Sequence, residues 1–164
     1  MSARSWRPQN IPVPEQYVVA IATGLLLGRI RPWTSVPNLL RPVGAVTTLA
    51  GMWLIGRSVR AAADVDVEDP DGLVVAAPYA WTRNPMYLGW AMLHLGVGLA
   101  TRSGWVLAAL PAAAARTHRE VLAEERALQA RFGEEFETYR AAVPRYLPSP
   151  LPLPRPLLPR RLGL

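Results

Sequence analysis

The sequence predicts an all-α fold, an integral membrane helical bundle of about four transmembrane helices followed by a cytosolic amphipathic helix. Three observations lead there. Four apolar segments alternate with short polar ones. The chain is 51% hydrophobic and 18% charged, whereas a soluble domain is about a quarter charged. Its mean hydropathy is positive, +0.12. The 164 residues suffice for one domain, which we place at residues 1–147, with a Pro-rich tail at 148–164.

The first apolar segment runs from Gln16 to Ile30. Arg4 and Arg7 precede it, but Pro8, Pro12, Pro14 and Glu15 interrupt the approach. "RIRPW" follows where a signal peptide would carry small residues, so a retained helix is expected. The second runs from Leu39 to Val59, the third from Pro85 to Ala100 and the fourth from Ser103 to Arg116. A spanning helix needs about 20 apolar residues, or roughly 17 at the short end. The first, third and fourth fall short, so tilt, flanking residues or a thinned bilayer must complete those spans.

Only Thr101 to Gly104 joins the third and fourth segments, which makes them an antiparallel hairpin. Gly89, Gly96 and Gly98 are expected to pack closely on Ala112 to Ala115. Pro111 should kink the fourth segment and mark a cavity. The acidic patch from Asp64 to Asp71 ends in a turn. From Thr117 to Ala142 the apolar residues recur at helical spacing, interrupted at Gly133. Beyond Val143, proline recurs at every second or third position, so the tail is extended or disordered.

The net charge is +6 and all 18 basic residues are Arg. They are scattered around apolar runs with no aromatic-interleaved stripe, which fits membrane flanks and anionic headgroups and argues against nucleic acid. The absence of Cys excludes disulfides, thiolate catalysis and thiolate metal sites. Two His make a His-rich metal site unexpected. Arg4, Arg7, Arg57, Arg60, Arg83 and all Arg from 116 onward share one side of a four-span bundle. The other side holds Arg29, Arg31, Arg41 and Arg102. The positive-inside rule then places both termini on the cytoplasmic side of an inner, cytoplasmic membrane. The oligomeric state is not legible.

Two blocks carry the chemistry. "GLVVAAPYAWTRNPMYLGW" fits G-x-[YF]-x-x-x-R-[HN]-P-x-Y-x-G, except that Ala77 holds the first Gly position. "EERALQARFGEEFETYRAAVPR" fits E-E-x-x-L-x-x-x-F-G-x-x-[YF]-x-x-Y-x-x-x-V-x-R. In this order, one apolar hairpin apart, they resemble the membrane-embedded isoprenylcysteine carboxyl methyltransferases and their phospholipid methyltransferase relatives. The resemblance covers about half the chain, from Gly72 to Leu147. It implies a helical membrane enzyme that binds S-adenosylmethionine at the cytosolic face and methylates a lipophilic acceptor, a lipid or isoprenoid-like molecule held among membrane lipids. It implies that Tyr79, Asn84, Pro85, Tyr87, Gly89, Glu124 and Glu125 hold the cofactor, the carboxylates suiting its cationic amino group. Pro85 begins a helix with its first dihedral preset, and the free amides there can meet a polar group. Asn84 stands where the isoprenylcysteine branch usually carries His. Glu120, beside Arg119, stands where that branch tends to carry Arg.

A carboxylate acceptor needs only orientation, for which Arg83 and Arg119 are the catalytic candidates. An amine acceptor must lose a proton, for which His118 and Glu120 are candidates. His94, in mid-segment, is expected to pack against a neighbouring helix. The alternatives are an NADPH-dependent membrane reductase of similar helical fold and a non-catalytic membrane protein. The Glu124–Glu125 pair would repel the NADPH phosphates.

Overall fold

A computed structural model describes residues 13–34, 36–62 and 72–147. The acidic patch, the arginines at positions 4 and 7, and the Pro-rich tail lie outside the described residues. The chain is all-α, with no strand among the described residues beyond an isolated bridge between Thr34 and Ser103. The helices are α1 (Glu15–Ile30), α2 (Arg41–Ala62, preceded by a 3-10 turn at Asn38–Leu40), α3 (Pro85–Thr101), α4 (Gly104–Phe132) and α5 (Glu134–Ala142). Helix α3 starts at the proline, as the sequence predicts, and α4 ends at Gly133, whose φ of 51° suits a residue without Cβ.

The hairpin between α3 and α4 forms as expected. Arg102 takes the left-handed conformation at its turn, held by a 2.7 Å hydrogen bond from Nε to the Val36 carbonyl. Ser103 caps α4 by accepting from the Val106 amide. The fourth apolar segment and the first part of the amphipathic stretch are one continuous helix, about 43 Å long at 1.5 Å per residue. Pro111 is the eighth of its 29 residues.

The glycine expectation is corrected. Gly89 and Gly96 face α2, not α4. A Cβ on Gly51 would meet the Gly89 carbonyl oxygen at 2.6 Å and the Leu93 amide at 2.7 Å. Gly44 meets Gly96 and Ala100 in the same way, so antiparallel α2 and α3 touch through two glycine pairs seven residues apart. Of the three glycines, only Gly98 faces α4, against Leu107. Helix α1 packs mainly along α4, in contact at Gly24 and Val106. His94 is buried as expected: its Nε2 donates to the Val106 carbonyl at 2.8 Å and its ring meets Tyr17 edge-on.

Among the described residues, one helical stretch is long and apolar enough to cross a membrane, Asn38–Ala62, and only 17% of its apolar window is buried within the protein. α1, at 16 residues, spans about 24 Å against a hydrocarbon core of about 30 Å. Both helices nevertheless turn large apolar side chains outward: Val19, Leu26 and Ile30 on α1, and Val46, Leu49 and Trp53 on α2, all more than half exposed.

Candidate active site

The second half of α4, α5 and the segments on either side of α3's start converge at one end of the bundle. α5 docks by burying Phe136, Tyr139 and Val143 against Leu73, Val75, Leu128 and Phe132. The Tyr139 hydroxyl donates to the Tyr79 carbonyl at 2.8 Å. This fixes the loop before α3, and burial with the nearby Glu124 charge pushes the Tyr79 phenol up to about 12.

Residues 143–147 then lie as a strap across the start of α3. The Arg83 amide donates to the Pro144 carbonyl at 2.9 Å. Thr82 Oγ1 and Asn84 Nδ2 donate to the Arg145 carbonyl at 2.9 and 3.2 Å. Beneath the strap lies a three-ion cluster. Arg83 Nη2 donates to Glu125 Oε1 at 2.9 Å and Arg145 Nη2 to Oε2 at 2.8 Å. The Arg83 side chain is only 8% exposed. Its Nη1 donates to the Arg140 and Val143 carbonyls, so every edge of that guanidinium is engaged. Burial alone would raise the Glu125 carboxyl, but hydrogen bonds from Arg145 and Arg83 outweigh it and hold the group below the usual carboxylate range.

Glu124, the next residue, has no cationic partner among the described residues. Its Oε1 accepts from the Tyr87 hydroxyl at 2.5 Å. The residue is exposed to solvent. Burial of the surroundings raises its carboxyl, and the Glu120 and Glu125 charges add to this against the Tyr87 hydrogen bond. Nearby, Gln16 Nε2 donates to Thr117 Oγ1 and Glu120 Oε2, both at 2.7 Å. His118 Nδ1 and the Tyr146 hydroxyl share a 2.6 Å hydrogen bond.

The sequence model of the phospholipid methyltransferase family matches residues 33–135 of this chain. The chain belongs to that family. Two similar proteins are named protein-S-isoprenylcysteine O-methyltransferase. The human one is 30% identical over 118 residues, 71% of this chain and 42% of that protein. The mouse one is 33% identical over 120 residues, with the same two shares. The chain therefore spans less than half the length of these relatives. No solved structure matches it significantly.

In this family member the expected site residues fall into three groups. Tyr79, Tyr87 and Glu124 are neighbours, with Tyr87 buried and Glu124 exposed. Arg83, Asn84 and Glu125 are tied to the strap, and Pro85 is buried at the start of α3. Gly89 serves the approach of α2, while His118 pairs with Tyr146. Arg119 is exposed, about 140° around α4 from Glu124 by helical register. Sequence reasoning assigned no role to Arg145, Tyr146, Gln16 or Thr117. Arg145 did carry a signal, since it closes the second motif block.

Proposed function

We propose that this chain is an S-adenosylmethionine-dependent methyltransferase for a lipophilic, bilayer-resident acceptor, with four membrane-crossing helices and its site and termini on the cytoplasmic side. The observation that carries it is Glu124. An exposed carboxylate without a cationic partner among the described residues, with one oxygen held by Tyr87, fits the ammonium group of an amino-acid-bearing cofactor. When bound, S-adenosylmethionine supplies a methyl group activated on a sulfonium.

Glu124 would bind the cation, with Tyr87 orienting the carboxylate and Tyr79 forming the adjoining wall. Asn84 makes no side-chain cap on α3, which leaves first-turn amides for polar groups of the cofactor. We assign Arg83 and Glu125 a positioning role: they lock the strap that covers the start of α3 and keeps water out. Arg119, turned away from Glu124, suits the membrane surface. A carboxylate acceptor would need only orientation in the site. For an amine acceptor, Glu120 or the His118–Tyr146 pair would take the proton. The outward apolar side chains of α1 and α2 support membrane embedding, and tilt would complete the shorter spans.

The matched family and the named relatives are methyltransferases, which favours this reading over NADPH-dependent reduction. The test is calorimetric titration of the detergent-purified chain with S-adenosylhomocysteine and, in parallel, NADPH. Saturable binding of the first alone is expected. Binding of NADPH alone would overturn the assignment.

A further inference from the structure

The outer face of α2 changes character towards its end. Val46, Leu49 and Trp53 are more than half exposed. Arg57 and Arg60, about one and two turns beyond Trp53, are exposed as well. By helical register these five side chains fall within an arc of about 80°. The buried Gly44, Gly51 and Ser58 lie about 140–180° around the helix from Trp53. One face of α2 therefore packs inside the protein, and the exposed opposite face runs from apolar to cationic. Ile55 lies beside Gly89, so the cationic end stands where α3 begins.

Arg57 does not reach away from the apolar stripe. Its guanidinium carbon lies 6.0 Å from the centre of the Trp53 ring, one turn back along the helix. An arginine at a bilayer edge ordinarily extends its head towards water. Arg41, exposed at the start of α2, and Arg57 are about 24 Å apart along the helix, less than a hydrocarbon core of about 30 Å. A guanidinium turned inward there is costly unless an anion meets it. The face of the indole offsets part of that cost. Neither Arg57 nor Arg60 has a carboxylate partner among the described residues.

Gly56 leaves room for the anion. It is exposed, and a Cβ there would meet nothing within 4 Å. Gly44 and Gly51 admit the backbone of α3, but no helix approaches Gly56. Trp53, Arg57 and Arg60 hold three corners of a diamond on the helix surface, and Gly56 leaves the fourth bare.

The chemistry selects the occupant. It must be apolar along Val46 and Leu49 and anionic at Arg57 and Arg60. A water-soluble partner does not reach the apolar part. A second copy of this chain, inserted in the same direction, would set these arginines against their own like charges. A zwitterionic lipid carries a cation beside its phosphate, whereas a net-anionic phospholipid meets both demands.

We propose that this face of α2 binds an anionic phospholipid of the bilayer, with its phosphate over Gly56 between Arg57 and Arg60 and a chain along Leu49 and Val46. The site rests on the membrane embedding of α2 proposed above and is independent of the methyl-transfer chemistry.

The test places the full chain in nanodiscs of equal parts phosphatidylglycerol and phosphatidylcholine. In parallel samples one lipid or the other carries a diazirine near the head end of one chain, and adducts are mapped by mass spectrometry. Along residues 46–56 the phosphatidylglycerol probe should exceed the phosphatidylcholine probe roughly thirtyfold, from two arginines at about 1 kcal/mol each. At Val19 and Leu26, on the outward face of α1, the ratio should be well below that. Arg57→Gln combined with Arg60→Gln should bring the α2 ratio down to that of α1. Gly56→Leu should lower it with both charges kept. Labelling of α1 in the same sample shows that each variant is inserted. Equal ratios on the two helices, a ratio untouched by either variant, or an α2 face that neither probe labels while both label α1 would each overturn the proposal. Labelling of α2 by both probes at the α1 ratio leaves the embedding standing and sinks the lipid site alone. Labelling of neither helix sinks the embedding, and the site with it.

Discussion

Glu124 and Glu125 are neighbours with opposite electrostatics. Glu124→Gln should weaken S-adenosylhomocysteine binding tenfold or more, the loss of a charge-assisted contact of about 1.5–3 kcal/mol. Unchanged affinity would remove Glu124 from the site. The raised Glu124 carboxyl also sets a pH dependence. Only the ionised form attracts a cation, so affinity should fall on acidification from a pH above the ordinary carboxylate value of about 4.3. A midpoint at or below that value would contradict the environment described. Stability runs the other way for the two residues. The raised Glu124 favours the folded state below its unfolded pKa, and that contribution is lost as pH rises through the folded value. The lowered Glu125 favours the folded state above its unfolded pKa, and that contribution is lost as pH falls through the folded value. Removing the Glu125 charge leaves Arg83 buried without an anionic partner. Glu125→Gln should therefore cost about 3–5 kcal/mol. Arg145→Ala should cost less, since Arg145 is 34% exposed and Arg83 still neutralises Glu125. Thermal unfolding of both variants in one detergent checks the order.

Among the elements, the α2–α3 contact is the tightest. Gly51→Ala would drive a methyl into the α3 backbone, and overpacking of this kind costs about 1–3 kcal/mol. Gly56, five residues on, is exposed with open space at its Cβ position. Gly56→Ala should instead stabilise α2 by roughly 0.5–1 kcal/mol. If the two variants shift the melting temperature alike, the glycine pairing is not what holds these helices. The existence of α2, α3 and the hairpin was legible, because apolar runs and Pro85 mark them. The partner of each glycine was not. A glycine shows in the sequence that something approaches closely, but which helix does so depends on the rotation of α3 in the bundle. The single α4 was also hidden, since its composition changes near Arg116 while its backbone continues.

The described residues form a bundle with apolar side chains turned outward on α1 and α2 and the Arg83–Glu125–Arg145 cluster at the end where α3 begins. The chain has no cysteine, so single cysteines report sidedness without background. Thr138→Cys, exposed on α5, should be labelled by an impermeant maleimide only from the cytoplasmic face. Thr101→Cys, exposed at the hairpin turn, should be labelled only from the opposite face. Labelling of both from one side would refute the four-span arrangement.

The sequence alone determined the helical class, the start of α3, the break at Gly133 and the two motif blocks that mark the family. All of these follow from local periodicity, backbone preference or residue order. Only the tertiary structure decided which glutamate is neutralised and which has no cationic partner among the described residues. Glu125 meets Arg83 and Arg145 from 42 and 20 residues away, while Glu124 meets Tyr87 from 37 residues away. Adjacent residues on a helix point about 100° apart. Charge acts through distance in space, so two glutamates alike in the sequence receive different partners once the helices are packed.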